Sequence, residues 1–154
     1  MHINGIVTPF GPKVQAAITI KDLGISNVVL WFLTDTGSTL SRLSEFDWRQ
    51  NLGVKPQDVV EMSDSPPIVT VSGTVNQWKI PYRTQLVLRG VNDELHVEDF
   101  PFIRVIRYPE NYPKEEQSKL ESIPSIMGRD IILKFRFVLT RKKVYMEKED
   151  KPRK

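Results

Sequence analysis

The chain has no cysteine and only two histidines, His2 and His96, among its 154 residues. The first absence excludes disulfide staples, thiol catalysis and every thiolate metal site. Two imidazoles are too few for a histidine-built metal centre unless a dimer pools them, and any Ser–His catalysis would have to rest on one of the two. The simplest reading places both on the surface or on strands. No run of about eighteen apolar residues occurs, so no membrane-spanning helix is expected. The opening MHINGIVTPFGP lacks a basic region followed by an apolar core, and does not read as a secretory signal. Together with the missing cysteines this predicts a cytoplasmic protein, or an intracellular precursor from a mobile element. Sequence repeats and low-complexity segments are also missing.

What is present is ordinary globular composition, with 40% apolar and 27% charged residues, enough for one domain and unlike a disordered chain. The net charge of +3 is unevenly placed. Residues 141–154 hold seven Lys or Arg against three acids, a local +4, whereas the other 140 residues carry 15 basic and 16 acidic groups. The basicity belongs to the tail, and a body without a basic stripe argues against nucleic acid as a partner. The expected organisation is an N-terminal segment 1–12, a folded domain 13–147 and a solvated basic tail 148–154.

The 11 prolines and 8 glycines punctuate short segments, most of them strand-like. Residues 13–20 (KVQAAITI) alternate weakly. Residues 27–34 (NVVLWFLT) form a β-branched and aromatic run of the kind found in a strand buried on both faces, with Trp31 in the core. The turn-like Lys21-Asp22-Leu23-Gly24 joins them as a hairpin. Ser44 can cap a short helix, with Asp47 three residues on, Trp48 packing and Gly53 closing it. Residues 67–71 and 79–88 read as the arms of another hairpin, with Ile80, Tyr82, Thr84, Leu86 and Leu88 on one face by period two. Residues 95–106 add one or two strands split near Pro101, and 109–121 read as an exposed loop. A short helix over 131–135 and a hairpin of 136–140 with 143–147 complete an all-β chain with two short helices.

The pattern that carries chemistry lies in two places about ninety residues apart. The first is Trp31-Phe32-Leu33-Thr34-Asp35-Thr36-Gly37-Ser38, a carboxylate on a polar turn at the end of an apolar strand. A carboxylate there needs hydroxyls and amides to hold it, and Thr36, Gly37 and Ser38 supply them. The second is Ile126-Met127-Gly128-Arg129-Asp130 before a late helix. Alone, Asp-Thr-Gly arises by chance in roughly a few chains of this length in a hundred. The apolar run before it, the Ser after it and the distant Gly-Arg-Asp sharpen the signal.

Together these residues resemble the retropepsin-like, single-domain aspartic protease family, the single-lobed relatives of pepsin. The resemblance spans about residues 13–147: Phe32-Leu33 with Asp35–Ser38, a flap hairpin within 67–88, and Ile126-Met127-Gly128 before a helix from Arg129. It implies a closed acid-protease barrel with one lobe per chain, and a C2 homodimer whose axis brings together two copies of Asp35. Two carboxylates that close cannot both ionise easily, so they share a proton. The charged one would act as general base on a water, and the protonated one would polarise the scissile carbonyl, with no metal and no organic cofactor.

The resemblance also implies roles for the neighbours. Thr36 would bond across the axis, Gly37 would present its backbone to substrate, and Ser38 would donate to the outer oxygen of Asp35, giving an acidic optimum that Ser38→Ala raises. Ser72, Gly73, Thr74 and Val75 would form the flap, less glycine-rich at its tip than in viral members. Leu33, Val75, Trp78 and Ile126 would wall a hydrophobic pocket for an extended peptide, with a buried aromatic at the flap base as the other reading of Trp78. Gly128, Arg129 and Asp130 would be structural. Thr39 stands where viral members carry an acid that pairs with the arginine, leaving Asp130, Glu45 or Asp47 to partner Arg129. The hairpin over 136–147 would contribute to the dimer interface or simply complete the core. The fold alone leaves a second reading, a dimerisation or peptide-binding module without activity. The intact Asp-Thr-Gly-Ser favours the aspartic endopeptidase.

Overall fold

A computed structural model of the chain describes residues 1–70, 73–113, 115–116 and 122–149. Ser72 of the expected flap, residues 150–154 of the tail, and 114 and 117–121 of the expected exposed loop lie outside the described residues, as do the side chains of Thr70 and Val75.

The chain is mostly β, with helix confined to short turns. In order, the strands are β1 (His2–Asn4), β2 (Ile6–Thr8), β3 (Gly11–Ile20), β4 (Ile25–Thr34), β5 (Arg42–Leu43), β6 (Val60–Glu61), β7 (Ile68–Thr70) and β8 (Gly73–Val75). Then follow β9 (Trp78–Ile80), β10 (Thr84–Arg89), β11 (Leu95–Phe100), β12 (Ile103–Val105), β13 (Ser125–Met127), helix α1 (Arg129–Ile132), β14 (Arg136–Leu139) and β15 (Val144–Glu147). One ten-stranded sheet runs β11-β10-β3-β4-β13-β5-β12-β9-β6, with β2 also paired to β3, and curls into a half-barrel. A three-stranded sheet β1-β15-β14 and the small hairpin β7-β8 complete the architecture.

Period-two burial explains the curl. Val14, Ala16, Ile18 and Ile20 of β3, Leu30 and Phe32 of β4, and Leu86 and Leu88 of β10 all face inward and are buried. Each large side chain among them contributes about 1.5–3 kcal/mol by leaving water. β3 and β4 form the expected hairpin, closed by a turn over Lys21–Leu23 in which Gly24, at φ 68°, donates its N–H to the Lys21 carbonyl at 3.0 Å. The apolar run of β4 is not buried on both faces, however. Val29 is 57% and Trp31 38% exposed, because no second layer covers the outer face of β4 there. Trp31 is therefore not a core residue. Trp48 is: it is fully buried and donates from Nε1 to the Ile106 carbonyl at 2.8 Å.

The Ser44 cap forms, accepting the Asp47 N–H on its hydroxyl at 3.1 Å. The turn it starts is wider than an α-helix: the Leu52 N–H bonds to the Asp47 carbonyl at 2.9 Å, and Gly53 follows at φ 67°. The late helix begins at Arg129 and ends at Ile132, short of Phe135. The two segments expected as one hairpin part company. β7 pairs with β8, whereas β9 pairs with β6 and β12, and β10 pairs with β3 and β11. Residues 2–4 and 6–8, unassigned from sequence, are strands: β1 pairs with β15 and β2 with β3. His2 lies on β1, and His96 on β11 points inward, with Nε2 2.7 Å from Glu98 Oε1 and Lys134 Nζ donating to both oxygens of that carboxylate at 2.8 and 2.7 Å. Among the described residues no helix is long and apolar enough to cross a membrane.

Candidate active site

β13 lies between two strands of the first half of the chain, parallel to β4 and antiparallel to β5. Its register sets Ile126 opposite Leu33 and Met127 opposite Thr34, so the two motifs meet where β4 ends. The Asp35 N–H donates to the Met127 carbonyl at 3.0 Å. Beyond it the chain turns tightly: the Ser38 N–H bonds to the Asp35 carbonyl at 3.1 Å, and the Gly37 N–H to Asp35 Oδ1 at 2.9 Å. That amide orients the half-buried carboxylate. On the other side of β4, Thr34 Oγ1 anchors to the Pro12 carbonyl at 2.9 Å.

The second motif braces the turn. Arg129 and Asp130 donate their N–H groups to the carbonyls of Ser38 and Thr39 at 2.8 and 3.2 Å. Asp130 accepts from the Ser41 N–H at 3.0 Å and from the Ser41 hydroxyl at 2.7 Å. The Gly128 N–H donates to that same hydroxyl oxygen at 3.0 Å. Gly128 is required by close approach, since a β-carbon there would fall 2.7 Å from the carbonyl carbon of Leu40. Arg129 reaches none of the three acids expected for it; Nη2 donates to Thr39 Oγ1 at 3.0 Å. The neutral Thr39 thus occupies the arginine directly.

Two expectations change. Ser38 Oγ donates to the Leu40 carbonyl at 2.9 Å and not to Asp35, because the turn aims it back along its own loop. Trp78 does not line the cleft. It is half-buried against the core, and the Arg107 guanidinium stacks on its ring at 4.7 Å. Thr36 and Thr74 are exposed, and Gly73 sits at the start of β8.

Asp35 opens into a cleft of about 1180 Å³, large enough for a peptide segment rather than a small metabolite. Leu33 and Ile126 form one wall, as expected, and Ile68 and Val69 of the β7–β8 hairpin another. Phe10, Arg42, Tyr112 and Ile123 also line it and were not legible from local pattern. Burial, followed by the neighbouring Arg104 charge, pushes the Arg42 guanidinium below its ordinary pKa, against the opposing pull of Asp130. The acids of the cleft, among the described residues, are Asp35 and the exposed Glu116. One carboxylate can hold or release one proton. Activating a water while protonating a carbonyl oxygen requires a second acid.

No protein-family model matches the chain, and no curated protein matches it by sequence.

Proposed function

We propose that the chain is an aspartic endopeptidase, active as a C2 homodimer in which a closed acid-protease barrel forms around a dyad of two Asp35 carboxylates. The observation that carries this reading is the convergence of Asp35-Thr36-Gly37-Ser38 with Gly128-Arg129-Asp130 beside a peptide-sized cleft, which Asp35, Gly37 and Ser38 line together with Ile68 and Val69 of a small hairpin. A single aspartate held by a backbone amide, beside an exposed Thr36, is half of a two-carboxylate site, and a two-fold axis supplies the other half.

In this mechanism the ionised Asp35 draws a proton from a water lying between the two carboxylates. The oxygen attacks the scissile carbonyl while the protonated Asp35 of the second copy hydrogen-bonds the carbonyl oxygen. Collapse of the tetrahedral intermediate passes a proton to the leaving amine and restores the shared-proton state. The Gly37 N–H keeps the carboxylate in place through both steps. The β7–β8 hairpin pairs with an extended substrate and excludes water.

The test is cleavage of a denatured protein mixture between about pH 3 and pH 8 by wild type and by Asp35→Asn, with dimer content followed by sedimentation. Cleavage by the wild-type dimer that disappears in a folded Asp35→Asn dimer supports the reading. A dimer that binds peptide and cleaves nothing at any pH would leave a binding module in its place.

A further inference from the structure

Five residues stand side by side across the sheet beneath the cleft. Leu33 of β4 is opposite Ile126 of β13, Ile126 is opposite Arg42 of β5, Arg42 is opposite Arg104 of β12, and Arg104 is opposite Lys79 of β9. Directly opposed residues share one face, and this face looks away from the core. The strand neighbours Phe32, Met127, Leu43, Ile103, Val105 and Ile80 fill the core from the other side. Leu33, Ile126 and Arg42 line the same cleft as Asp35. The row is therefore apolar next to Asp35 and then carries three consecutive cations.

Among the described residues these cations have no anion. Arg49, Arg83, Arg89, Lys134 and Arg136 each have a carboxylate within 4.0 Å, whereas among the described residues Arg42, Arg104 and Lys79 have none. Arg42 donates only to neutral oxygens, the Leu40 carbonyl and Gln77 Oε1, both at 3.2 Å. Arg104 and Lys79 share the ring of Phe102, at 5.2 and 4.6 Å from its centroid. Arg104 Nε is buried and has no hydrogen-bond partner. Asp130, the acid whose field reaches Arg42, already serves Ser41 with both oxygens. Like charges opposed across strands are destabilising, and a buried donor without an acceptor adds to the cost. A carboxylate arriving in the cleft beside Arg42 would relieve the first.

We propose that Arg42, backed by Arg104 and Lys79, is a specificity subsite for a substrate Glu or Asp side chain. This rests on the peptidase reading and names its substrate class: an extended peptide with an apolar side chain against Leu33 and Ile126 and an acidic one nearby on the same face. Adjacent strands lie about 4.8 Å apart and an extended chain advances about 3.3 Å per residue, which separates the two substrate side chains by about two positions. The planar guanidinium suits a carboxylate in two-point contact.

The experiment uses fluorescein-labelled octapeptides with a central Leu-Phe and Glu, Gln or Lys placed in turn at each flanking position. Binding is read by anisotropy on the full-length Asp35→Asn protein, and cleavage on the wild type. At one position Glu is expected to bind about tenfold or more tighter than Gln. Arg42→Gln, added to Asp35→Asn, is expected to erase that preference, and Arg42→Glu to turn it toward Lys. Circular dichroism confirms that each variant is folded, and Arg42→Met replaces Arg42→Glu where the latter is not. The proposal is overturned by equal affinity for Glu and Gln everywhere, by a Glu preference that survives Arg42→Gln, or by no binding of any probe. An Arg42-dependent Glu preference without wild-type cleavage would remove the peptidase reading alone. Cleavage indifferent to acid would remove the subsite alone.

Discussion

Asp130 holds Ser41 by two hydrogen bonds, from its backbone N–H and from its hydroxyl, across 89 residues of sequence. The hydroxyl oxygen in turn receives the Gly128 N–H, so one serine joins the start of α1, the end of β13 and the loop that carries Asp35. A partly buried network of this kind stiffens a site only while every member is satisfied.

Asp130→Asn places an amide donor against the Ser41 donors and leaves one of them without an acceptor. The expected loss is about 1–3 kcal/mol of folding stability, read from the urea midpoint at constant slope. Ser41→Ala should cost a similar amount, since it strands the Gly128 N–H as well. The double variant should fall short of the sum of the two, because the pair is lost once. Fully additive losses would show that the two residues do not act together.

Gly128→Ala and Gly37→Ala are expected to fail differently. At Gly128 the new methyl group meets the Leu40 carbonyl carbon at 2.7 Å and the Ser38 carbonyl oxygen at 2.9 Å, and backbone must move. Such overpacking costs about 1–3 kcal/mol and lowers the melting temperature. At Gly37 the methyl group meets Asp35 Oδ1 at 3.1 Å, a side-chain atom that can rotate. The fold should hold while cleavage is lost, because the carboxylate is turned from its amide. A Gly37→Ala protein of wild-type activity would remove the Gly37–Asp35 contact from the mechanism.

A dyad shared between two copies predicts a concentration dependence that a one-chain site cannot produce. Specific activity should rise with protein concentration until the dimer saturates. Excess Asp35→Asn chains should suppress wild-type activity by forming mixed dimers with one carboxylate. Specific activity that stays flat on dilution, together with indifference to added Asp35→Asn, would place the whole site in one chain.

The sequence was most informative where local chemistry decides the outcome. The alternation in residues 13–20, the turn at Gly24 and the cap at Ser44 each depend on neighbours within a few residues, and the structure has the β3–β4 hairpin and the Ser44–Asp47 bond. It was least informative where a partner lies far along the chain. Period two in residues 79–88 identifies an inward face, which is buried as read at Ile80, Thr84, Leu86 and Leu88, but it does not say which strand lies alongside. Hence residues 67–71 and 79–88 read as the arms of one hairpin, whereas β7 pairs with β8, β9 with β6 and β12, and β10 with β3 and β11. Trp31 reads as core because hydrophobicity does not report whether a second layer covers a sheet face. The contacts of Ser38 and Trp78 hinge on side-chain direction, which motif spacing does not contain. The row through Arg42 is invisible for the same reason: its five members come from five strands.

Stability and binding should part at Arg42. Its pKa is lowered by burial and by Arg104, so the folded state disfavours the proton that the unfolded chain holds freely. A base shifted downward subtracts stability at every pH where it is charged, and that loss is relieved only as pH rises through its folded pKa, far into the alkaline range. Opposed like charges across strands work in the same direction, by about 0.2–1 kcal/mol. Arg42→Gln keeps a donor for the Leu40 carbonyl or Gln77 and removes the charge, so at neutral pH the urea midpoint should stay level or rise. Affinity for the Glu-containing peptide should fall in the same protein. A loss of more than about 1 kcal/mol on Arg42→Gln would make the residue a structural cation, tied to its own loop at Leu40 and to Gln77 just before β9, and would take away the reason for reading its charge as reserved for substrate.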